Sequence, residues 1–515
     1  MSKKLFLLVA ILSLASFMVF AETLTVFYLN DTHGHAWAYS RWHNPNIGGF
    51  AYVDSVLEYQ RALAILKGQD VLFLHAGDIN TGVPESDLLD AVPDIVALNM
   101  MGLDAMTVGN HEFDHSNSVL QMQEKLADFP FLSANIYDKD GQRVFKPYII
   151  KNFNGFKVAI VGFTTEECAI ITNPQNTGNL QFRNVVAEAK KVVKELKDQG
   201  INFIIALTHL GVVDAGYPTT SIELARRVPG IGLIVDGHSH TLLNPPLKVN
   251  DAYIVQAKSW DQYLGKITLD IEDGKVVKAD NELIPINLKK YDKTTKTYSY
   301  VGQKILPDPK VAAVLAYFKS LGSKKLDQVL GTTSILLDGE EKNVRSKDTN
   351  LAHLITDAMR TKVNGDITLQ NGGGIRASIL PGNITYRNIL TVLPFGNTLY
   401  VIDLTGKQIM DVLKYAATVP NGKGAHLQTS GLTWVNDNGK PANVMINGKP
   451  IDLNATYKVV TNNYMAAGGD GYSMLKEGKN GYDTGYVLAD VVKEYIQKLG
   501  KITSYDDTPR YVVKK

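Results

Sequence analysis

Residues that can bind metal ions follow one apolar segment after another in the first half of this chain. Five short motifs share this position, namely DTH at 31–33, GD at 77–78, GNHEFD at 109–114, TH at 208–209 and GHSH at 237–240. Side chains at the ends of adjacent strands of a sheet can converge on one point. Nine of the 11 histidines precede residue 241, and a core usually buries few histidines because each ring needs hydrogen-bond partners. The pattern therefore predicts a metal centre.

The donor atoms in these motifs are carboxylate and amide oxygens and imidazole nitrogens, with no thiolate. Such a set suits zinc, manganese, cobalt or iron better than it suits a closed structural zinc site. Asp78 stands alone after its apolar segment, and its two oxygens allow it to bridge two ions. The set is large enough for two divalent metal ions. The predicted ligands are Asp31, His33, Asp78, Asn110, His209, His238 and His240.

Short apolar runs alternate with helical patterns between residue 22 and about residue 306, and the elements that they predict must position these residues. This alternation is typical of an α/β sheet covered by helices. A chain of 515 residues is too long for one ordinary core, so we expect two domains. We predict a first domain over residues 22–306 and a second α/β domain over residues 327–515.

A helix is predicted between the two domains, within residues 307–326. Asp308 suits the N-cap and Pro309 the first helical position. Apolar residues then keep helical spacing, and Gly322 supplies a stop signal. This helix either links the domains or is an ordinary packing helix of one of them.

The N-terminus has the pattern of a secretory signal peptide, predicted over residues 1–21. Lys3 and Lys4 precede an apolar stretch that runs to Phe20. An uncleaved membrane anchor is the alternative. Once the signal is removed, the protein is expected to be secreted, periplasmic or extracellular, and to have no membrane association. The single cysteine, Cys168, excludes a disulfide within the chain.

The five motifs resemble those of calcineurin-like metallophosphoesterases, and specifically the 5'-nucleotidase family, which includes bacterial periplasmic 5'-nucleotidase/UDP-sugar hydrolases. The resemblance implies an N-terminal four-layer α/β/β/α sandwich. It assigns the first metal to Asp31, His33, Asp78 and His240, and the second to Asp78, Asn110, His209 and His238. Some family members carry glutamine at the position of His240.

The same resemblance gives roles to two residues beside the ligands. His111 would stabilise the transition state or protonate the leaving alkoxide. Asp114 would accept a hydrogen bond from the His111 ring and hold its orientation, whereas a helix-capping aspartate is the alternative reading.

The second half of the chain carries the motifs NGGGIR at 371–376, PFG at 394–396 and AAGGDGY at 466–472. Alone, each could be an ordinary turn or core segment. In sequence and order they resemble the C-terminal domain of 5'-nucleotidases. That likeness implies that Phe395 and Tyr464 stack on the base, that Asp470 and Asn371 contact ribose and base, and that Arg376 binds the phosphate. A further phosphate ligand is either Arg345 or Lys347.

The predicted function is hydrolysis of nucleoside 5'-monophosphates to nucleoside and phosphate by a water molecule activated by two metal ions. A 2',3'-cyclic nucleotide phosphodiesterase or a UDP-sugar hydrolase would use the same site. A non-catalytic nucleotide-binding protein is a more remote alternative. A net charge of +1 argues against binding of a nucleic-acid polymer. The oligomeric state stays open.

Overall fold

The computed structural model describes residues 22–41, 44–172, 174–201, 203–212, 219–506 and 508–514. The predicted signal peptide lies outside these ranges, so it stays a prediction. Within them, no helix is both long enough and apolar enough to pass through a bilayer.

Two six-stranded sheets form the centre of the first domain. The first sheet has the order Lys275–Pro285, Tyr263–Glu272, Glu22–Leu29, Asp70–His75, Ala105–Thr107 and Phe131–Leu132. The second has the order Leu247–Val249, Ala252–Val255, Leu233–Val235, Phe203–His209, Phe156–Thr164 and Tyr148–Phe153. The strands that precede the five motifs run parallel within each sheet. The carboxyl ends of those strands therefore lie at the same edge.

The strand Glu22–Leu29 shows why these segments are apolar along their whole length. Val26 and Tyr28 pack between the two sheets, whereas Phe27 and Leu29 pack under helices on the outer face. A strand buried on both faces needs apolar residues at successive positions rather than at alternate ones. The outer helices of the first sheet are Phe50–Leu66, Val92–Met100 and Asn117–Leu126, and those of the second are Val185–Asp198 and Ser221–Arg227.

The layers therefore run helix, sheet, sheet, helix, which confirms the predicted four-layer α/β/β/α sandwich. Shorter elements fill the connections between the main strands and helices. They are the strands Tyr39–Arg41, Asn44–Ile47, Ile136–Tyr137, Gln181–Phe182, Lys289–Asp292 and Thr297–Tyr300, the helices Pro84–Asp87, Cys168–Ile171 and Pro174–Thr177, and the 3-10 turn His111–Phe113.

The helix predicted between the domains spans Pro309–Leu326. The Asp308 side chain accepts hydrogen bonds from the backbone N–H groups of Lys310 and Val311, at 2.8 and 2.9 Å, which is the predicted N-cap. Val311 packs in the core of the first domain, and Leu326 in a core of the second. The helix thus contacts both domains.

The expected stop at Gly322 was wrong, because the helix continues for one more turn. Gly322 lies against the side chain of Leu326, which is completely buried. Burial of this leucine in the second domain favours the extra turn over the conformational freedom of the glycine.

A five-stranded sheet forms the centre of the second domain. Its strands, in spatial order, are Leu427–Ser430, Ile367–Asn371, Thr456–Asn462, Thr398–Thr405 and Lys479–Val487. The helices Asn350–Val363 and Leu488–Leu499 contribute to one core, and the helix Gly406–Thr418 contributes to another. The remaining strands are Val329–Thr333, Gly382–Thr385, Leu432–Asp437, Lys440–Ile446, Lys449–Pro450, Lys501–Ile502 and Tyr511–Lys514, and the remaining helices and 3-10 turns are Glu341–Val344, Gly372–Gly374, Tyr386–Val392, Asn463–Ala466, Gly469–Gly471 and Ser473–Glu477. This arrangement confirms the predicted C-terminal α/β domain.

Candidate active site

The predicted ligands lie at the ends of strands of the two central sheets or in the turns that follow them, and His209 is the last residue of its strand. Five of the seven have a positive φ, which is uncommon for residues other than glycine and costs about 1 kcal/mol or more each. Such strain is typical of functional sites, where the surrounding structure holds a side chain in a required direction. These five are Asp31 (φ 52°), His33 (φ 50°), Asp78 (φ 61°), His238 (φ 72°) and His240 (φ 49°).

His33 and His240 point their Nε2 atoms at each other across a distance of 3.1 Å. The Nδ1 atom of His33 lies 3.1 Å from the carbonyl oxygens of Asn80 and Thr81, so Nδ1 carries the proton and Nε2 carries a lone pair. Burial lowers the pKa of His33 well below its usual value, which keeps the ring neutral. The Oδ1 atom of Asp31 lies 3.3 Å from Nε2 of His240. Donor atoms that face one another in this way fit a cation between them.

His209 is the second buried histidine of the cluster. Its Nδ1–H donates to the carbonyl oxygen of Ala76 at 2.7 Å. Its Nε2 lies 3.0 Å from Oδ2 of Asp78, yet it has no well-oriented hydrogen-bond partner among the described residues. Burial alone would lower the pKa of His209, but the charges of Asp78 and Asp31 raise it to about 10. A metal ion would replace the proton on Nε2, because a ligating histidine must be neutral.

The Oδ2 atom of Asp78 faces both buried histidines. It lies 3.9 Å from Nε2 of His33 as well as 3.0 Å from Nε2 of His209. Burial opposes ionisation of Asp78, but the neighbouring histidines hold its pKa well below the usual value. This carboxylate is therefore ionised and placed between the two groups of donors.

His238 and Asn110 complete the cluster. The Nδ1 atom of His238 lies 2.9 Å from Oδ1 of Asn110. The backbone N–H of His238 donates to both carboxylate oxygens of Asp31, at 3.0 and 3.1 Å, which ties its turn to the first motif. The rings of His209 and His238 are 5.1 Å apart.

The structure thus brings together all seven predicted ligands. Three overlapping groups have ligand atoms within 4.8 Å of one another: Asp31, His33 and His240; His33, Asp78 and His111; and Asp31, Asp78 and His209. The donors are nitrogen and oxygen atoms, as the sequence predicted, and their chemistry fits divalent metal ions.

Glu112 was missed by the sequence analysis. Its Oε2 accepts hydrogen bonds from the backbone N–H groups of Gly109 and Asp78, at 2.6 and 2.9 Å, and its Oε1 accepts one from Ile79 at 2.8 Å. One buried carboxylate therefore joins the GD and GNHEFD turns. Its place inside the GNHEFD motif was the available signal, but the partners of its oxygens could not be read from the motif.

Glu167 was also missed. Its Oε2 lies 2.8 Å from Nε2 of His238. Glu167 follows the apolar strand Phe156–Thr164, so it has the same position as the predicted ligands. It lies in the segment TTEEC at 164–168, which carries none of the five motifs.

His111 and Asp114 form the pair that the sequence predicted. Nδ1 of His111 lies 2.5 Å from Oδ2 of Asp114, and the same oxygen accepts a hydrogen bond from Oγ1 of Thr81 at 2.6 Å. Burial opposes protonation of His111, but the charges of Asp114 and Asp78 raise its pKa. The N-cap of the next helix, Asn117–Leu126, is Ser116, so Asp114 does not cap that helix.

A cavity of about 770 Å³ lies between the two domains. From the first domain it is lined by Asp78, Asn110, His111 and Asp114, together with His238 and His240. From the second domain it is lined by all six predicted substrate-binding residues, which are Arg345, Asn371, Arg376, Phe395, Tyr464 and Asp470. Lys347 is exposed and lies outside this lining, so Arg345 is the one of the two candidates that reaches the cavity.

Phe395 lies where the two domains meet. Its ring is stacked at 21° on the His111 ring, with 6.0 Å between the ring centres. The guanidinium carbon of Arg376 lies 5.7 Å from the centre of the Phe395 ring. Phe395, which is predicted to stack on the base, is therefore a direct neighbour of the His111 imidazole, and Arg376, which is predicted to bind phosphate, lies next to Phe395.

Asp470 is held by two predicted substrate-binding residues. Its Oδ1 accepts a hydrogen bond from the Tyr464 hydroxyl at 3.0 Å, and its Oδ2 accepts one from the Asn371 amide at 2.8 Å. Burial raises the pKa of Asp470. The Tyr464 hydroxyl also lies 3.5 Å from the carbonyl oxygen of Ile170 in the first domain, so this group reaches across the cavity.

Comparison with known proteins identifies a matching family for each domain. The calcineurin-like phosphoesterase family matches residues 24–242, and the 5'-nucleotidase C-terminal domain matches residues 329–477. Protein UshA of Escherichia coli strain K12 is 38% identical over 507 residues, which cover 92% of this chain and 91% of that protein. The 5'-nucleotidase of Vibrio cholerae serotype O1 is 37% identical over 503 residues, which cover 92% of this chain and 90% of that protein.

A solved structure shows the same architecture over both domains. The 5'-nucleotidase precursor from Thermus thermophilus has a TM-score of 0.82 at 31% identity, over 95% of this chain and 99% of that chain.

The fold and the cluster of metal-binding side chains define a metallophosphoesterase, which binds divalent metal ions and hydrolyses phosphoric esters. More particularly, the chain belongs to the 5'-nucleotidase family. The predicted family and enzyme class are both confirmed.

Proposed function

We propose that this protein is a secreted enzyme that hydrolyses nucleoside 5'-monophosphates to nucleosides and inorganic phosphate. One observation carries the proposal: the metal-binding cluster and the nucleoside-binding candidates line the same cavity of about 770 Å³. This volume lies in the range of about 300–1,000 Å³ typical of small-molecule sites. The His111 ring and the Phe395 ring meet inside it.

Two divalent ions, each zinc, manganese, cobalt or iron, would occupy the cluster. The first would be held by Asp31, His33, Asp78 and His240, and the second by Asp78, Asn110, His209 and His238. The position of Asp78 between His33 and His209 supports its role as the shared ligand. When bound, such ions lower the pKa of a water molecule and balance charge on the phosphate oxygens.

The protein's own groups would orient the phosphate and the leaving group. Arg345 and Arg376 present guanidinium groups to the cavity, and this group suits pairs of phosphate oxygens. Asp114 occupies Nδ1 of His111, which leaves Nε2 of that ring for the substrate. A proton at that atom would go to the leaving alkoxide.

The nucleoside would be recognised by the second domain. Phe395 and Tyr464 offer aromatic faces to the base. Asp470 accepts hydrogen bonds at both oxygens, and a carboxylate has further lone pairs for ribose hydroxyls. Contacts far from phosphorus would then position the phosphate at the metal centre, which is a usual role of remote binding energy. Rotation of the second domain about the helix Pro309–Leu326 would admit the substrate.

Secretion to the periplasm or exterior is supported by the signal-like pattern of residues 1–21. N-terminal sequencing of the protein from periplasmic or culture fractions tests this part. A mature chain that still begins at Met1 would contradict cleavage.

The catalytic proposal is tested by hydrolysis of adenosine 5'-monophosphate with added Mn²⁺ or Co²⁺. We expect Asp78→Asn and His111→Ala to abolish or strongly reduce phosphate release, and a chelator to abolish it in the parent. His115→Ala is a matched control, because His115 belongs to the same loop and lies outside the cavity lining. Parental activity in both Asp78→Asn and His111→Ala would refute the proposal. A panel containing 2',3'-cyclic nucleotides and UDP-sugars measures the preference among ester types.

A further inference from the structure

Glu167 lines the cavity but takes no part in the proposed hydrolysis. It directly precedes the short helix Cys168–Ile171. Its side chain is about one-fifth exposed, as is that of His238. The 2.8 Å distance between Oε2 of Glu167 and Nε2 of His238 is that of a charge-assisted hydrogen bond.

This hydrogen bond fixes which nitrogen of His238 carries the proton. A carboxylate oxygen can only accept, so Nε2 of His238 is the donor. In a neutral ring Nδ1 then carries a lone pair, and it faces another acceptor, Oδ1 of Asn110, at 2.9 Å. Two acceptors at this distance repel each other unless a positive charge lies close to both. The two atoms are therefore arranged as a pair of ligands.

We propose that Glu167 is a positioning residue that holds His238 in its Nε2–H form and thereby sets the affinity of the centre for the metal ion that His238 binds. The inference rests on the proposed ligand set. Carboxylates that accept from the second nitrogen of a ligating histidine orient the ring and raise its basicity, and their loss typically costs about 10- to 100-fold in metal affinity or activity.

Glu167 also lies at the boundary between the two domains. Its carboxylate accepts the hydrogen bond from His238, and the ammonium of Lys423 acts on the same carboxylate. Lys423 belongs to the second domain and lines the same cavity. The neighbouring residue Ile170 contacts Tyr464 of that domain. Glu167 therefore lies where the second domain approaches a ligand of the first.

Glu166 provides a matched control in the adjacent position. Its Oε1 accepts hydrogen bonds from the side chains of Thr219 and Asn184 and from the backbone of Val185. It is not part of the cavity lining. Glu166→Ala also removes one glutamate side chain, but it leaves the hydrogen bond between Glu167 and His238 in place.

The test is calorimetric titration of the metal-free protein with Mn²⁺. We expect two ions in the parent and in Glu166→Ala. In Glu167→Ala one of the two should bind about 10- to 100-fold more weakly, while the other keeps its affinity. Glu167→Gln keeps an acceptor oxygen and should lose less. Excess Mn²⁺ should restore kcat in Glu167→Ala, which a general structural defect would not permit.

The possible failures are distinguishable. Two ions of parental affinity in Glu167→Ala would overturn the role of Glu167 and leave the metal centre intact. Equal weakening of both ions would indicate a general disturbance of the cluster and would also overturn it. Fewer than two ions in the parent would overturn the proposed two-metal centre and, with it, this inference.

Discussion

Replacement of His111 by alanine separates the two chemical roles that the sequence left open for this residue. Asp114 occupies Nδ1 of the ring at 2.5 Å, and the ring lines the cavity beside Phe395. The other nitrogen, Nε2, is therefore the one available to a substrate. A proton donated from Nε2 matters most when the leaving group is a poorly stabilised alkoxide, as in a nucleoside 5'-monophosphate.

The expected loss follows from the usual worth of general acid catalysis. Proton transfer by a positioned side chain contributes about 10²- to 10⁴-fold, which is about 3–5.5 kcal/mol at 1.36 kcal/mol per tenfold. We expect kcat for adenosine 5'-monophosphate to fall by this factor in His111→Ala. For p-nitrophenyl phosphate, whose leaving group is stable without a proton, the fall should be less than about tenfold, because a proton donor then adds little.

Asp114→Asn extends the test to the group that orients the ring. It removes the charge that His111 faces while keeping the size of the side chain. A hydrogen bond to a charged group is worth about 1.5–3 kcal/mol, so the loss with adenosine 5'-monophosphate should be about 10- to 150-fold.

Steady-state kinetics at saturating Mn²⁺, with His115→Ala as the control, measures these effects. An equal loss on both esters would refute proton donation and leave stabilisation of the transition-state charge as the role. Parental kcat on both esters would refute any catalytic role for His111.

Further predictions concern the base-binding site, the metal cluster and the stability of the first domain. Phe395→Ala and Tyr464→Ala should raise KM for adenosine 5'-monophosphate about 5- to 150-fold, since stacking on a base is worth about 1–3 kcal/mol, while KM for p-nitrophenyl phosphate stays nearly unchanged; equal rises on both substrates would contradict base stacking. Removal of metal by a chelator should lower the midpoint of thermal unfolding, because ligands that bind only the folded state stabilise it, and Mn²⁺ should restore it; an unchanged midpoint would argue against the cluster as a metal site. Glu112→Gln should lower the free energy of unfolding in urea by about 3 kcal/mol or more, because backbone N–H groups of two turns lose a buried carboxylate acceptor; parental stability would show that the turns hold without it. Burial raises the pKa of Asp94 from 3.8 to about 7. The folded protein therefore binds this proton more tightly than the unfolded chain does, and it loses stability as the pH rises between those values. Asp94→Asn should reduce the difference in unfolding free energy between pH 5 and pH 8, and an undiminished difference would assign the pH dependence to other groups.

The sequence determined which residue types could bind metal and where they would stand. Each motif follows an apolar segment, and strands buried on both faces need such segments, so the association of ligand and strand end was visible in the sequence. The N-cap at Asp308 was also visible in the sequence, because it depends only on residues within one helical turn. Local periodicity and capping depend on neighbours in the sequence.

Only the tertiary structure decided which other residues reach the site and where the helix between the domains ends. Arg345 lines the cavity and Lys347 does not, although both are basic and only two positions apart. The Gly322 stop signal was overridden by the burial of Leu326 in another domain.

Glu167 and His238 are 71 positions apart in the chain, and the lysine that acts on Glu167 belongs to the other domain. A hydrogen bond between residues so distant depends on how sheets and domains pack, and no local pattern encodes that packing. The sequence therefore specified the atoms available to the metal centre, whereas the fold decided which carboxylate forms a hydrogen bond with which histidine ring.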